Sequence, residues 1–168
     1  MLISWNTTKK CNLNCVHCYR ESGMDVDTSK ELTTEEGKKL VEEISKAGFR
    51  LLILSGGEPL LRDDIFELIA AARESRLMPA IGTNGTLLSR EMSEELQKAG
   101  LKGVAVSIDS LDETYHDQFR GQSGAFAKTQ QGIENALSAG LRVQINMTIT
   151  EKNQDEFGGM VSYYEKLG

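Results

Sequence analysis

Three cysteines stand within eight positions, in Lys10-Cys11-Asn12-Leu13-Asn14-Cys15-Val16-His17-Cys18-Tyr19, and the chain has no others. An odd number of thiols clustered this tightly is poor material for a disulfide framework and suits metal binding in a reducing compartment. A cubane iron–sulfur cluster fully ligated by protein takes four cysteinates. Three leave one iron open to a substrate or cofactor. Two other readings use the same residues. The thiols could be inert and buried, which the polar loop disfavours. Alternatively, His17 could complete a Cys3His zinc tetrahedron, although Cys15, His17 and Cys18 are spaced more tightly than usual zinc ligands.

Further chemistry gathers at the ends of β-rich runs. Ser55-Gly56-Gly57-Glu58-Pro59 follows the apolar run Leu51–Leu54. Its glycines let the backbone approach a ligand, and Glu58 offers an acceptor to an ammonium group; alone, the stretch is equally a plain strand-to-helix turn. Thr83-Asn84-Gly85 by itself is a turn signal. In Val104-Ala105-Val106-Ser107-Ile108-Asp109-Ser110, alternation puts Ser107 and Asp109 on one face, a hydroxyl and a carboxylate suited to ribose hydroxyls. Asp109 could instead cap a helix. His116, one of two histidines, is expected to be structural or at the surface.

These residues need elements to position them, and the pattern supplies a repeated β–α unit. Strands are predicted at Leu2–Thr7, Leu51–Ser55, Pro79–Gly82, Val104–Ile108 and Arg142–Ile149. Thr33-Thr34-Glu35-Glu36 reads as a capping box that opens one helix. Asp63-Asp64 starts a second and Ser89 caps a third; two more run from about Ala125 to Ser138 and from about Asn153 to Lys166. Ala47-Gly48-Phe49, Ala99-Gly100-Leu101 and Ala139-Gly140-Leu141 each end a helix with a glycine suited to the left-handed conformation. A strand follows each time, which implies a parallel sheet with right-handed crossovers. Ser4, Asn6 and Thr8 share one face of the first strand, and Gln144, Asn146 and Thr148 one face of the last. Central strands of a doubly wound sheet are apolar on both faces, so polar faces point to the lumen of a partial (β/α) barrel. The expected fold is therefore α/β, with parallel strands.

With 168 residues, 39% hydrophobic and 26% charged, the composition suits one domain with a real core. A net charge of −6 argues against a nucleic-acid partner. No apolar run approaches the roughly 18 residues of a membrane span. Polar Ser4, Asn6 and Thr7 follow Met1-Leu2-Ile3 directly, unlike a signal peptide, so a cytoplasmic location is expected.

The Cys-x-x-x-Cys-x-x-Cys spacing, followed in order by Gly56-Gly57-Glu58-Pro59, resembles the radical S-adenosylmethionine (SAM) superfamily. The resemblance implies that Cys11, Cys15 and Cys18 ligate a 4Fe-4S cluster whose open iron chelates SAM. Electron transfer then yields a 5′-deoxyadenosyl radical that abstracts hydrogen from a substrate. It gives the Gly56–Pro59 turn to the SAM amino group, His17 a position near the adenine, and Asn84 the cavity floor. Ser107 and Asp109 are given the ribose, Arg120 the SAM carboxylate, and Asn146 the adenine or ribose; a solvated surface role is the other reading of Arg120. A reductant such as ferredoxin or flavodoxin and a small-molecule or peptide substrate are implied. The segment Trp5–Tyr19 is most similar to the SPASM/twitch subgroup, in particular to enzymes of alternative haem biosynthesis acting on propionates of iron porphyrinoids; peptide- and cofactor-maturing enzymes share much of the pattern. A complete core of this family has six β–α units. Residues 1–168 are accordingly expected to be a core cut before its sixth strand and before any auxiliary-cluster domain.

Overall fold

Runs rich in Leu, Ile, Val and Thr form five strands in the computed structural model, which describes residues 1–167; Gly168 and the expected chain end there lie outside the described residues. The strands are β1 Leu2–Thr8, β2 Leu51–Gly56, β3 Met78–Thr83, β4 Gly103–Ser107 and β5 Arg142–Asn146. The helices are α1 Thr34–Lys46, α2 Ile65–Glu74, α3 Arg90–Lys98, α4 Glu113–Arg120, α5 Ala125–Ser138 and α6 Phe157–Glu165. All strand pairs are parallel, in the order β1-β2-β3-β4-β5. A doubly wound sheet reverses direction at a switch point; this one does not. Right-handed crossovers that always step the same way keep the helices on one side, and the sheet is a partial β/α barrel.

Burial follows that geometry. Leu52, Leu54, Ile81, Val104 and Val106 face the helices and pack with Ile65, Leu68, Ile69, Leu96 and Ile133. Each such side chain contributes about 1.5–3 kcal/mol on full burial. Successive strand residues alternate faces, so the other face carries Ser4, Asn6, Ile53, Ser55, Ala80, Gly82, Ala105, Ser107, Gln144 and Asn146, all partly or fully exposed. That is the lumen inferred from the polar alternation of β1 and β5.

The local signals act as anticipated. The Thr33–Glu36 capping box is present, and Ser89 accepts from the Met92 amide at 3.1 Å. Gly48, Gly100 and Gly140 adopt φ of 86°, 98° and 78°. The amides of Phe49, Leu101 and Leu141 then reach back to the carbonyls of Ile44, Leu96 and Ala136, the Schellman arrangement that satisfies a helix end.

Three details differ from expectation. Helix α4 was not anticipated. It is capped by Asp112, which accepts from the Tyr115 amide at 3.0 Å, and it stops at left-handed Gly121. Strand β4 ends at Ser107, so Asp109 lies beyond the ladder and not on it; β5 ends at Asn146. The last helix begins at Phe157, after a 3-10 turn at Gln154–Glu156.

Candidate functional site: a cysteine loop locked at the mouth of the barrel

The cysteine loop leaves the carboxyl end of β1, where barrel enzymes carry their chemistry. Three locks hold it. The first is the glycine turn after β2. The Gly57 amide donates to the Thr8 carbonyl at 2.7 Å and the Glu58 amide to the Lys10 carbonyl at 2.8 Å. A methyl group on Gly56 or Gly57 would lie 2.4 Å from the Thr8 or Lys10 carbonyl oxygen. These glycines thus let one backbone approach another, immediately before Cys11. The second lock is Asn84, whose Nδ2 donates to Asn12 Oδ1 at 2.9 Å while Asn12 Nδ2 donates to Thr86 Oγ1 at 2.9 Å. The third is the end of α4, where the Val16 amide donates to the Phe119 carbonyl at 3.1 Å and Gly121 packs on Asn14.

Cys11 is buried, Cys15 and Cys18 are half-buried, and all three are free thiols. Burial raises the pKa of Cys11, partly offset by the Leu13 amide 3.5 Å from its sulfur. Burial also raises that of Cys15, with the Arg120 guanidinium acting against it. At Cys18 burial is outweighed by the backbone amides of Ser22, Arg20 and Glu21, and its pKa is lowered. Three thiols on one braced loop, one of them with a lowered pKa, fit a cluster that takes three protein ligands. Among the described residues, no three His, Cys, Asp or Glu side chains are gathered around a point where a single metal ion could sit. The His17 ring is stacked on Phe119, with centroids 4.1 Å apart and planes 14° from parallel.

Glu58 is fully buried. Its carboxylate accepts from Thr83 Oγ1, from the Asn84 amide at 2.9 Å and from the Leu60 amide at 3.1 Å. Burial pushes its pKa up to about 7, against the pull of the Asn84 and Leu60 amides and the Thr83 hydroxyl. The acceptor expected to meet an ammonium is therefore turned into the β3–α3 turn, and Glu58 joins that turn to the glycine turn. Pro59 is buried and opens the short 3-10 turn that follows.

The Ser107–Asp109 pair is split. Ser107 is partly exposed on the lumen face, beside exposed Asn146 in the β4–β5 register. Asp109 is fully buried, and its Oδ2 accepts from Arg120 Nε at 2.7 Å. Arg120 is buried too, with Nη1 3.9 Å from Cys15 Sγ, which rules out the solvated surface role. His116 is buried, and burial first, then the Arg120 charge, lowers its pKa to about 4, so the ring is neutral. Sequence reasoning missed Asn12, Phe119 and Gly121. Only Gly121 carried a usable signal, as the stop of a helix capped at Asp112.

A partial parallel barrel with three thiols on the loop after its first strand, locked by a glycine turn after its second, defines a radical SAM core. The chain belongs to the radical SAM superfamily, whose family model matches residues 5–163. It is similar to the Fe-coproporphyrin III synthase of Methanosarcina barkeri, 43% identical over 152 residues, which cover 90% of this chain and 38% of that protein. It is equally similar to the AdoMet-dependent heme synthase of the same organism, 43% identical over 99% of this chain and 48% of that one. The pre-heme d1 synthase of Dinoroseobacter shibae is 39% identical over 99% and 41%. The chain thus spans half or less of the length of these relatives. Among solved structures, Streptococcus suis SuiB bound to S-adenosylmethionine superposes with a TM-score of 0.83 at 19% identity, covering 99% of this chain and 38% of that one. For anSMEcpe with bound AdoMet the values are 0.79 and 21%, with 98% and 48% covered. These two share the fold. Membership of the superfamily implies SAM and a 4Fe-4S cluster. Among the described residues, no helix is long and apolar enough to cross a membrane.

Proposed function

We propose that this chain is the SAM-cleaving core of an enzyme of haem biosynthesis that acts on a tetrapyrrole side chain. The observation that carries the reading is the Cys11–Cys15–Cys18 loop, braced on three sides at the barrel mouth with no fourth cysteine in the chain. Cys11, Cys15 and Cys18 would hold three irons and leave the fourth for the amino and carboxylate groups of SAM. When bound, the reduced cluster supplies the electron that cleaves SAM to methionine and a 5′-deoxyadenosyl radical, which takes hydrogen from the substrate. A ferredoxin or flavodoxin is the expected reductant.

The chain's own residues bind, orient and exclude water. Arg120 offers a guanidinium to the SAM carboxylate. Ser107 and Asn146, the polar groups near the top of the lumen face, are available to the ribose and adenine, and His17 stays by the loop as a neutral ring. Glu58 and Asn84 keep the glycine turn and cysteine loop in register. Gly82 and Ala105, paired in the β3–β4 register, leave that part of the lumen wall without large side chains, which suits a bulky planar substrate. The tetrapyrrole assignment is supported by the names of relatives about 40% identical over nearly the whole chain.

Anaerobic reconstitution with iron and sulfide tests the class. The expected product is a brown protein with four irons per chain that releases 5′-deoxyadenosine from SAM on reduction, both lost in Cys15→Ser. A colourless protein with one zinc per chain would overturn it. Adding iron-coproporphyrin III and, in parallel, other iron tetrapyrroles that carry propionate or acetate side chains tests the substrate: the expected result is a mass change in one of them, whereas 5′-deoxyadenosine formation with every one unchanged would overturn the tetrapyrrole alone.

A further inference from the structure

Every polar atom of Asp109 has a partner. Its amide donates to His116 Nδ1 at 3.3 Å, and its carbonyl accepts from Asn153 Nδ2 at 2.9 Å. Oδ1 accepts from the Thr148 amide at 3.0 Å, and Oδ2 from Arg120 Nε at 2.7 Å. The end of β4, helix α4 and the segment after β5 therefore meet on one residue with no exposed surface. Such a carboxylate has nothing left for a ribose hydroxyl. What it does is fix an arginine. The guanidinium is planar and rigid, so anchoring Nε sets the direction of its other nitrogens, and Nη1 lies 3.9 Å from Cys15 Sγ. Neither His116 nor Asn153 takes Oδ2 from Arg120, since both are bonded to the Asp109 backbone.

We propose that Asp109 is a positioning residue that holds the Arg120 guanidinium against Cys15, where its charge makes a cluster on the three thiols easier to reduce. The inference rests on the reading of Cys11, Cys15 and Cys18 as cluster ligands. Reduction adds negative charge to the cluster, and a fixed cation beside one ligating sulfur stabilises the reduced form more than the oxidised one. Charge and hydrogen bonding around the sulfurs are among the levers that set such potentials.

The test is a potentiometric titration of the reconstituted full chain, without SAM, followed by the electron paramagnetic resonance signal of the reduced cluster. At the wild-type midpoint, Arg120→Met is expected to lower the reduced-to-oxidised ratio about tenfold, a 59 mV shift for a one-electron couple. Arg120→Lys, which keeps the charge without the fork, recovers part of it. Asp109→Asn is the discriminating variant. Removing a negative charge would by itself raise the potential, whereas releasing Arg120 lowers it, and lowering is expected. The double variant Asp109→Asn/Arg120→Met has no guanidinium left to release, so its potential should lie at or above that of Arg120→Met and show none of the lowering seen in Asp109→Asn. A raised potential in Asp109→Asn, or a double variant displaced from Arg120→Met by the full effect of Asp109→Asn, would overturn the proposal. If Asp109→Asn does not fold, the double variant and Arg120→Lys decide it. A normal cluster indifferent to Arg120 sinks this inference alone, and a chain that binds no cluster sinks the functional reading as well.

Discussion

Gly121 and Asn14 meet backbone to backbone: a methyl group on Gly121 would stand 2.1 Å from the Asn14 carbonyl oxygen and 2.7 Å from its carbon. Gly121 also has φ of 69°, so any side chain there is both strained and obstructed. Left-handed strain alone costs about 1–3 kcal/mol for a non-glycine residue, and the overlap must be relieved by moving α4 or the cysteine loop. Gly121→Ala should therefore lower the urea midpoint and reduce the iron bound per chain after reconstitution. Wild-type values for both would mean that the end of α4 does not brace the loop.

The stack of His17 on Phe119 separates two kinds of metal site. The His17 pKa is lowered, first by burial and then by the Arg120 charge, so the ring is neutral and held by packing. His17→Ala should cost about 0.5–1.5 kcal/mol, the worth of an aromatic pair, and leave iron content unchanged; His17→Phe should recover the stability. Loss of metal in both variants would identify His17 as a ligand.

The legible parts of this fold were those written locally. The Ala-Gly-apolar stops, the Thr33–Glu36 box and the alternation of Gln144 and Asn146 all act within a few residues of chain, and the partial barrel follows from them. Helix α4 was hidden because Glu113–Arg120 has only Tyr115 and Phe119 as large apolar side chains, too few to make a stripe; Asp112 and Gly121 marked its ends without announcing its interior. The site divides in the same way. The cysteines and the glycine turn were visible as types at a spacing. That Gly56 and Gly57 press on Thr8 and Lys10, that Glu58 turns inward to Asn84, and that Asp109 takes Arg120 depend on which strand end lies beside which. No local pattern encodes that.

Arg62, three residues past the glycine turn motif, ties that turn to the base of the cysteine loop. Its Nε and Nη2 donate to the two Asp64 oxygens at 2.7 Å each, and Nη1 donates to the Thr7 carbonyl at 2.7 Å. Both side chains of the pair are largely covered, at 10% and 13% exposure. Arg62→Met should destabilise the chain by about 3 kcal/mol, the lower end of the cost of breaking a buried pair. The bond to Arg62 is the main cause holding the Asp64 carboxyl below its ordinary pKa. A lowered carboxyl pKa gives stability above the unfolded value that is lost as pH falls through the folded one. Wild type should thus show an acid limb that is shallower in Arg62→Met, read by urea unfolding at successive pH values. Parallel limbs would remove the pair from the account.

Two buried groups should oppose each other on the pH axis in the cluster-free chain. His116 falls from an ordinary 6.5 to about 4, so between those values the unfolded state binds the extra proton and stability rises with pH. Glu58 climbs from 4.5 to about 7, so over that window the folded state holds the extra proton and stability falls as pH rises. Each slope approaches about 1.4 kcal/mol per pH unit for one proton. Where the windows overlap, from 4.5 to 6.5, the two slopes cancel. His116→Gln keeps an acceptor for the Asp109 amide and removes one slope; relative to wild type, its stability should decline as pH rises to about 6.5. Glu58→Gln removes the other, and its stability relative to wild type should climb from about pH 4.5 to 7. Both follow from chemical unfolding of the apo chain across that range. Difference profiles that are flat, or that share one sign, would show that these two groups do not titrate against each other in the fold.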